Sequence, residues 1–187
     1  MKDNHAVLQA IAELDSLRHS RDDHWQIPRE EGDLLHHIAL TMNARLIVEV
    51  GTSYGFSGLF WGAALARTGG RLHTIDKDPR KYESARQTFA QAGLADRVTS
   101  HLGDGRGVIP LISGEIDIAF IDADKSSTQA YFDLLWPKIR RGGCILTDNA
   151  TTHRDELSAY VDQARSRQDA SSVEVAIGNG VEWTVKL

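Results

Sequence analysis

The chain has 187 residues, 41% of them hydrophobic, which suits one domain of ordinary size with a sizeable core. Its formal net charge is −5 with no dense basic run, which speaks against a nucleic-acid partner, because phosphate binding needs clustered Lys and Arg. The single cysteine, Cys144, excludes an intrachain disulfide and fits a reducing cytosol.

The N-terminal stretch MKDNHAVLQAIAELDSLRHSRDDHW is charged throughout and has no uninterrupted apolar run of the targeting type. No segment reaches the ~20 apolar residues of a membrane span. The expectation is a soluble, cytoplasmic protein with a single domain over 1–187, made of N-terminal helices (1–44) and a core (45–187). Val7, Leu8, Ile11, Leu14 and Leu17 predict a helix over 4–19, and 20–28 reads as a loop whose Pro28 opens the next helix. Leu34, Leu35, Ile38, Ala39 and Met42 mark that second helix, 29–43.

From Leu46 short apolar runs alternate with longer amphipathic stretches. They predict strands at 46–50, 71–76, 97–102, 116–121 and 143–148, with helices at 56–67, 79–92, 106–112, 127–140 and 153–168. Residues 173–177 and 181–187 close the chain as a hairpin through Gly178-Asn179-Gly180. The alternation predicts an α/β fold: a Rossmann-like, doubly wound, mostly parallel seven-stranded sheet with an antiparallel C-terminal strand and helices on both faces. The hairpin predicts that the antiparallel strand lies at the edge. Ligands of such sheets bind beyond the carboxyl ends of the strands, so those ends carry the functional reading.

The first strand ends in Glu49-Val50-Gly51-Thr52-Ser53-Tyr54-Gly55. Ser53 occupies the place of the second glycine in a dinucleotide fingerprint, and an acid at the strand end disfavours a pyrophosphate. The spacing E-x-G-x-x-x-G instead matches the turn of AdoMet-dependent methyltransferases, whose ligand is cationic; a tight turn without ligand is the bland alternative. Asp76 follows Gly51 by 25 positions, near the offset at which an acid grips ribose hydroxyls, and helix capping is its alternative role. Asp78 is the better cap, being followed by Pro79. Gly103 and Gly105 around Asp104 would let backbone lie against a flat base, with Asp104 accepting from an exocyclic amine. Asp122 and the pair Asp148-Asn149 end the fourth and fifth strands. Two carboxylates and an amide carbonyl are hard donors suited to Mg²⁺ or Ca²⁺, although each could simply cap a helix.

With VEVGTSYGFSG, HTIDKDP, FIDADKSSTQAYF, GGCILTDNA and IPREEGDLLHHIA in hand, the chain resembles the cation-dependent O-methyltransferases: catechol and caffeoyl-CoA O-methyltransferases and their bacterial relatives. The similarity runs from about Ile27 to the C-terminus. It implies that Glu49, Gly51, Thr52 and Ser53 approach the methionine part of S-adenosyl-L-methionine (AdoMet), with Ser57 on its carboxylate. It further implies Asp76 on the ribose, Gly103, Asp104 and Gly105 beside the adenine, and Asp122 at the junction of the cofactor and metal sites. Asp122, Asp148 and Asn149 would hold a divalent cation, usually Mg²⁺. Lys125 would be the catalytic base that takes the acceptor's proton, against the alternative of a surface lysine at a helix start. The resemblance also implies a small hydroxylated, catechol-like aromatic acceptor and a homodimer.

Departures leave the acceptor open. The insertion that caffeoyl-CoA enzymes carry after Asp-Asn is missing, and Ala123 and Asp124 stand where animal catechol enzymes have histidine and tryptophan. No counterpart appears of the glutamate that meets the second catechol oxygen. Trp25 either lines the acceptor site or packs the N-terminal helix, and His153 either reaches that site or caps a helix. His36 and His37 are not spaced as metal ligands; Trp61, Trp136, Trp183 and Cys144 read as core. Two other readings stay open: a metal-independent methyltransferase of this fold and a non-catalytic AdoMet-binding protein.

Overall fold

The computed structural model describes residues 4–18 and 25–187. Part of the 20–28 loop, residues 20–24, and the last residue of the expected first helix lie outside the described residues. The remaining elements alternate as the sequence predicts. Seven strands, β1 (Leu46–Val50), β2 (Arg71–Asp76), β3 (Val98–Leu102), β4 (Ile116–Ile121), β5 (Ile139–Asp148), β6 (Ala170–Val175) and β7 (Val181–Lys186), form one sheet in the order β3-β2-β1-β4-β5-β7-β6.

β1 through β5 are parallel neighbours, and β7 pairs antiparallel with both β5 and β6. The antiparallel strand therefore lies one place in from the edge, and β6 is the edge strand. The hairpin folds back so that its second arm, with buried Val181, Glu182 and Thr184, meets β5. The first arm is mostly half-exposed and sits outside.

Helices cover both faces. α1 (His5–Leu17), α2 (Arg29–Thr41), α3 (Phe56–Thr68) and α4 (Pro79–Gln91) enclose one core with Ile47, Leu72, Phe120 and Leu146. On the other face α6 (Thr128–Leu135) and α7 (Arg154–Ser166) pack over Val48, Val50, Ile75, Ala119 and Ile145, next to the four-residue α5 (Gly105–Val108). β4 is buried along its whole length, which is why its sequence is nearly continuous hydrophobic text. No helix of the described residues is long and apolar enough to cross a membrane.

Prolines set two boundaries that periodicity alone misplaces. The helix expected over 127–140 stops at Leu135; Trp136–Lys138 forms a 3₁₀ turn with Pro137, and the chain enters β5 at Ile139, four residues before the expected start at 143. The helix expected over 106–112 is likewise split into α5 and a 3₁₀ turn around Pro110. In each case the proline removes the amide that an α-helix would need. β6 begins at Ala170 rather than 173, because edge pairing with β7 extends beyond the apolar run.

Candidate active site

The carboxyl ends of β1 to β5 share one edge, and their loops enclose a cavity of about 570 Å³, within the range of small-molecule sites. One side is lined by Gly51, Ser53, Asp76 and the Gly103–Gly105 turn. The other is lined by Asp122, Lys125, Asn149, His153 and Glu156, with Tyr131 between them.

The turn after β1 passes very close to the end of β4. A Cβ on Gly51 would lie 1.9 Å from the Asp122 carbonyl oxygen, and Gly51 has φ of +106°, so this position excludes a side chain twice over. Ser53 also takes a positive φ, 47°. Its amide donates to Asp76 Oδ2 at 2.7 Å, while Asp78 donates its amide to Asp76 Oδ1 at 2.9 Å. Asp76 thus ties the first two loops together at the cavity wall. Asp78 is the helix cap, accepting from the amides of Arg80 and Lys81, as expected. The hydroxyl of Ser53 is buried and has no hydrogen-bond partner among the described residues.

Four expected contact residues do not line this cavity. Glu49 is fully buried, and its oxygens accept from Ser57 Oγ at 2.6 Å and Thr74 Oγ1 at 2.5 Å. Thr52 Oγ1 lies 2.5 Å from Thr74 Oγ1, extending the chain of hydroxyls. Burial raises the Glu49 pKa to about 7, against the opposing pull of the Ser57 and Thr74 hydroxyls. Glu49 is thus a buried anchor behind the Gly51 turn. The hydroxyl proton of Ser57, which the resemblance directs at a ligand carboxylate, is engaged by Glu49 because a serine has only one to donate. Asp104 is also partly committed: it caps α5 through the Arg106 amide at 2.8 Å and pairs with Arg106 Nε at 3.0 Å.

Asp148, the fourth, is buried, accepting from the Asn149 amide at 2.5 Å and from Asn179 Nδ2 at 3.4 Å. Asp122 has a side-chain exposure of 20% and faces Lys125 Nζ at 3.5 Å; Lys125 itself is 11% exposed and follows the loop into a 3₁₀ turn over Lys125–Ser127. Burial, and then the Asp148 charge, raise the Asp122 pKa. Burial is likewise the largest cause of the raised Asp148 pKa. Two carboxylates held out of water within each other's field, with an amide beside them, are a donor set that fits a hard divalent cation. Among the described residues no three His, Cys, Asp or Glu side chains are gathered to hold a metal, so such a site needs Asn149, solvent or substrate to complete its shell. Asn149 has a positive φ of 70°, a conformation asparagine tolerates, and its Nδ2 donates to Thr152 Oγ1 at 3.2 Å, leaving the amide oxygen for an ion.

Further residues line the cavity, Tyr131 among them without a signal in the sequence. Tyr131 packs under the third loop, 2.8 Å from where a Gly105 Cβ would stand. Trp25 lies at the cavity rim, 75% exposed, with Lys81 Nζ 5.0 Å from its ring. His153 lines the cavity and makes no side-chain cap bond to α7. Trp61, Trp136 and Cys144 are core, and Trp183 packs half-buried against it.

The O-methyltransferase family model matches residues 2–175. The chain belongs to the O-methyltransferase family. It is 35% identical over 148 residues to the catechol O-methyltransferase of Mycobacterium tuberculosis, covering 79% of this chain and 66% of that protein. It is 30% identical over 150 residues to the caffeoyl-CoA O-methyltransferase of Populus kitakamiensis, covering 78% and 63%. The alignments thus span less than two thirds of these curated relatives. Among solved structures, this O-methyltransferase family member superposes with a TM-score of 0.85 on TomG of Streptomyces achromogenes, an O-methyltransferase involved in tomaymycin synthesis, in complex with SAM. Identity is 26%, with 95% of this chain and 89% of that chain covered. An O-methyltransferase of Bacillus cereus in complex with SAH shares the fold with a TM-score of 0.85 at 21% identity, covering 97% and 90%.

Proposed function

We propose that this protein transfers the methyl group of AdoMet to a hydroxyl of a small aromatic acceptor carrying neighbouring hydroxyls, with a divalent cation at Asp122, Asp148 and Asn149. The observation that carries the reading is the single cavity that joins the Asp76–Gly103 side to the Asp122–Lys125–Asn149 side. A donor on the first side and an acceptor on the second would meet inside it.

On the donor side Asp76 would accept from the ribose hydroxyls. Gly51 and Ser53 would approach the methionine part, and the backbone of Gly103 and Gly105, with Asp104 between them, would lie beside the base. Asp122 stands where the two sides meet. When bound, the cation would supply Lewis acidity toward the acceptor's oxygens. Lys125, as the free amine, would take the proton of the attacking hydroxyl. The acceptor oxygen forms its bond to the methyl carbon, and the carbon–sulfur electron pair leaves on sulfur. The products are a methyl ether and S-adenosylhomocysteine, with the proton on Lys125. Holding both reactants in one cavity supplies much of the effect by removing the cost of encounter.

Activity with AdoMet on a panel of catechols and isolated phenols, with Mg²⁺ and with chelator, tests this. Turnover of vicinal diols that stops on chelation is expected. Turnover that survives exhaustive chelation would replace this reading with the metal-independent one, and binding of AdoMet without turnover of any acceptor would favour the non-catalytic one.

A further inference from the structure

A third carboxylate approaches the Asp148 side of the site from a different element. Glu31 lies in the first turn of α2, which follows Pro28. It is fully buried, its charged neighbours are the carboxylates of Asp148 and Asp122, and its side chain is hydrogen-bonded to that of Asp148. Its Oε2 receives the Asn179 amide at 3.5 Å, and its Oε1 has no hydrogen-bond partner among the described residues. The adjoining turn is shaped around it: a Cβ on Gly178 would come within 2.5 Å of Oε2.

The turn also binds the metal-side loop. Ala150 donates to Gly180 O at 2.8 Å and Thr151 to Asn179 O at 3.1 Å, while Asn179 Nδ2 reaches Asp148. Glu31, Asn179 and Asp148 thus form one connected group. An acid in a first helical turn can serve the helix dipole, but Glu30 already does this from solvent. A buried carboxylate oxygen without a donor, set beside two other carboxylates, needs a different account.

We infer that Glu31 belongs to the cation site as the acceptor of a hydrogen bond from a water molecule in the ion's shell. The inference rests on the cation reading above. Hard cations of this kind keep several waters, and a water polarised by the ion is a strong donor. A water-mediated place also agrees with the absence, among the described residues, of three carboxylates gathered around one point. Glu31 acts here through the ion's shell and Asp148, as a positioning residue.

The test is Mn²⁺ binding followed by the EPR signal of the free ion, on the full chain, for wild type, Glu31→Gln, Glu31→Leu and Asp148→Asn, with the thermal midpoint of each metal-free protein measured beside it. Glu31→Gln is expected to weaken Mn²⁺ by about 10- to 100-fold, the scale of outer-shell partners, and Glu31→Leu by more. The metal-free midpoints are read beside the affinities, so that a loss of fold is not taken for a loss of ion binding. Wild-type Mn²⁺ affinity in both folded variants would overturn the inference and leave the cation site standing. Wild-type protein that binds no Mn²⁺, matching Asp148→Asn, would overturn the cation reading and this inference with it. Should Glu31→Gln fail to fold, Glu31→Leu decides alone.

Discussion

Lys125 and Gly51 are the residues whose replacement separates chemistry from framework. Lys125 is nearly buried and meets Asp122 at 3.5 Å. If it is the base, Lys125→Met should lower kcat by about 10²–10⁴-fold while AdoMet affinity holds, because a positioned proton acceptor contributes on that scale. Lys125→Arg, which stays charged, should not restore the rate. Equal turnover by the three proteins, with chemistry limiting, would make Lys125 structural. Gly51 gives the opposite pattern. Its missing side chain accommodates the Asp122 carbonyl, and its φ of +106° is left-handed. Gly51→Ala should therefore cost at least about 1–3 kcal/mol of stability, as strained backbone does, and weaken AdoMet through the displaced turn. Denaturant titration reads the first effect and calorimetry the second; an unchanged midpoint would contradict the close approach.

At the scale of elements, two side-chain links report on the sheet through pH. Asp117 on β4 accepts from the amides of Arg45 at 2.7 Å and Leu46 at 2.9 Å and pairs with Arg140 Nε of β5 at 2.5 Å. Burial pushes its pKa up, but Arg140 and the two amides outweigh it, so the folded value lies below the ordinary 3.8. Its stabilisation is therefore present above pH 3.8 and is lost as pH falls through the lower folded value. Asp117→Asn should destabilise by roughly 1.5–3 kcal/mol near neutrality, the range for hydrogen bonds to a charged group, and flatten the acid limb of a stability–pH curve. On the other side of the sheet, His73 of β2 and His101 of β3 stack at 5.2 Å with Nδ1 and Nε2 2.9 Å apart. Burial lowers both pKa values from 6.5, with His101 adding to the effect at His73. The folded state favours the neutral rings, so stability is full above about pH 6.5 and declines as pH falls toward the folded values. The double variant His73→Gln/His101→Gln should lose that decline in melts between pH 7 and 5; an unaltered slope would place the titration elsewhere.

For the molecule as a whole, the cation reading makes a thermodynamic statement. Asp122 after β4 and the Asp148-Asn149 pair at the end of β5 come together only in the folded sheet, so an ion that binds them would stabilise the assembled fold alone. At a concentration 100 times its Kd, Mg²⁺ should stabilise the wild type by about 2.7 kcal/mol, and Asp148→Asn should lose most of this response. Thermal melts with Mg²⁺ and with chelator measure it, and identical wild-type midpoints in both would count against an ordered cation site.

The sequence by itself determined the strand–helix alternation, the parallel core, the strand-end loops that line the cavity and the small-residue turn after β1. These follow from local periodicity and backbone chemistry, which each segment displays without its neighbours. It also displayed Asp76, Asp122, Lys125, Asp148 and Asn149, because a strand end can be recognised from the run before it. Tertiary structure alone decided which of these side chains face the cavity. Glu49 and Ser57 turned out to satisfy each other behind it, since hydrogen-bond partners from β1 and α3 are set by packing and not by spacing. Tertiary structure also decided that β7 enters the sheet ahead of β6, because the more buried arm of a hairpin takes the inner place. Glu31 and Asn179 lie 148 positions apart and meet at Asp148 only after α2 and the last hairpin have docked on the same sheet edge.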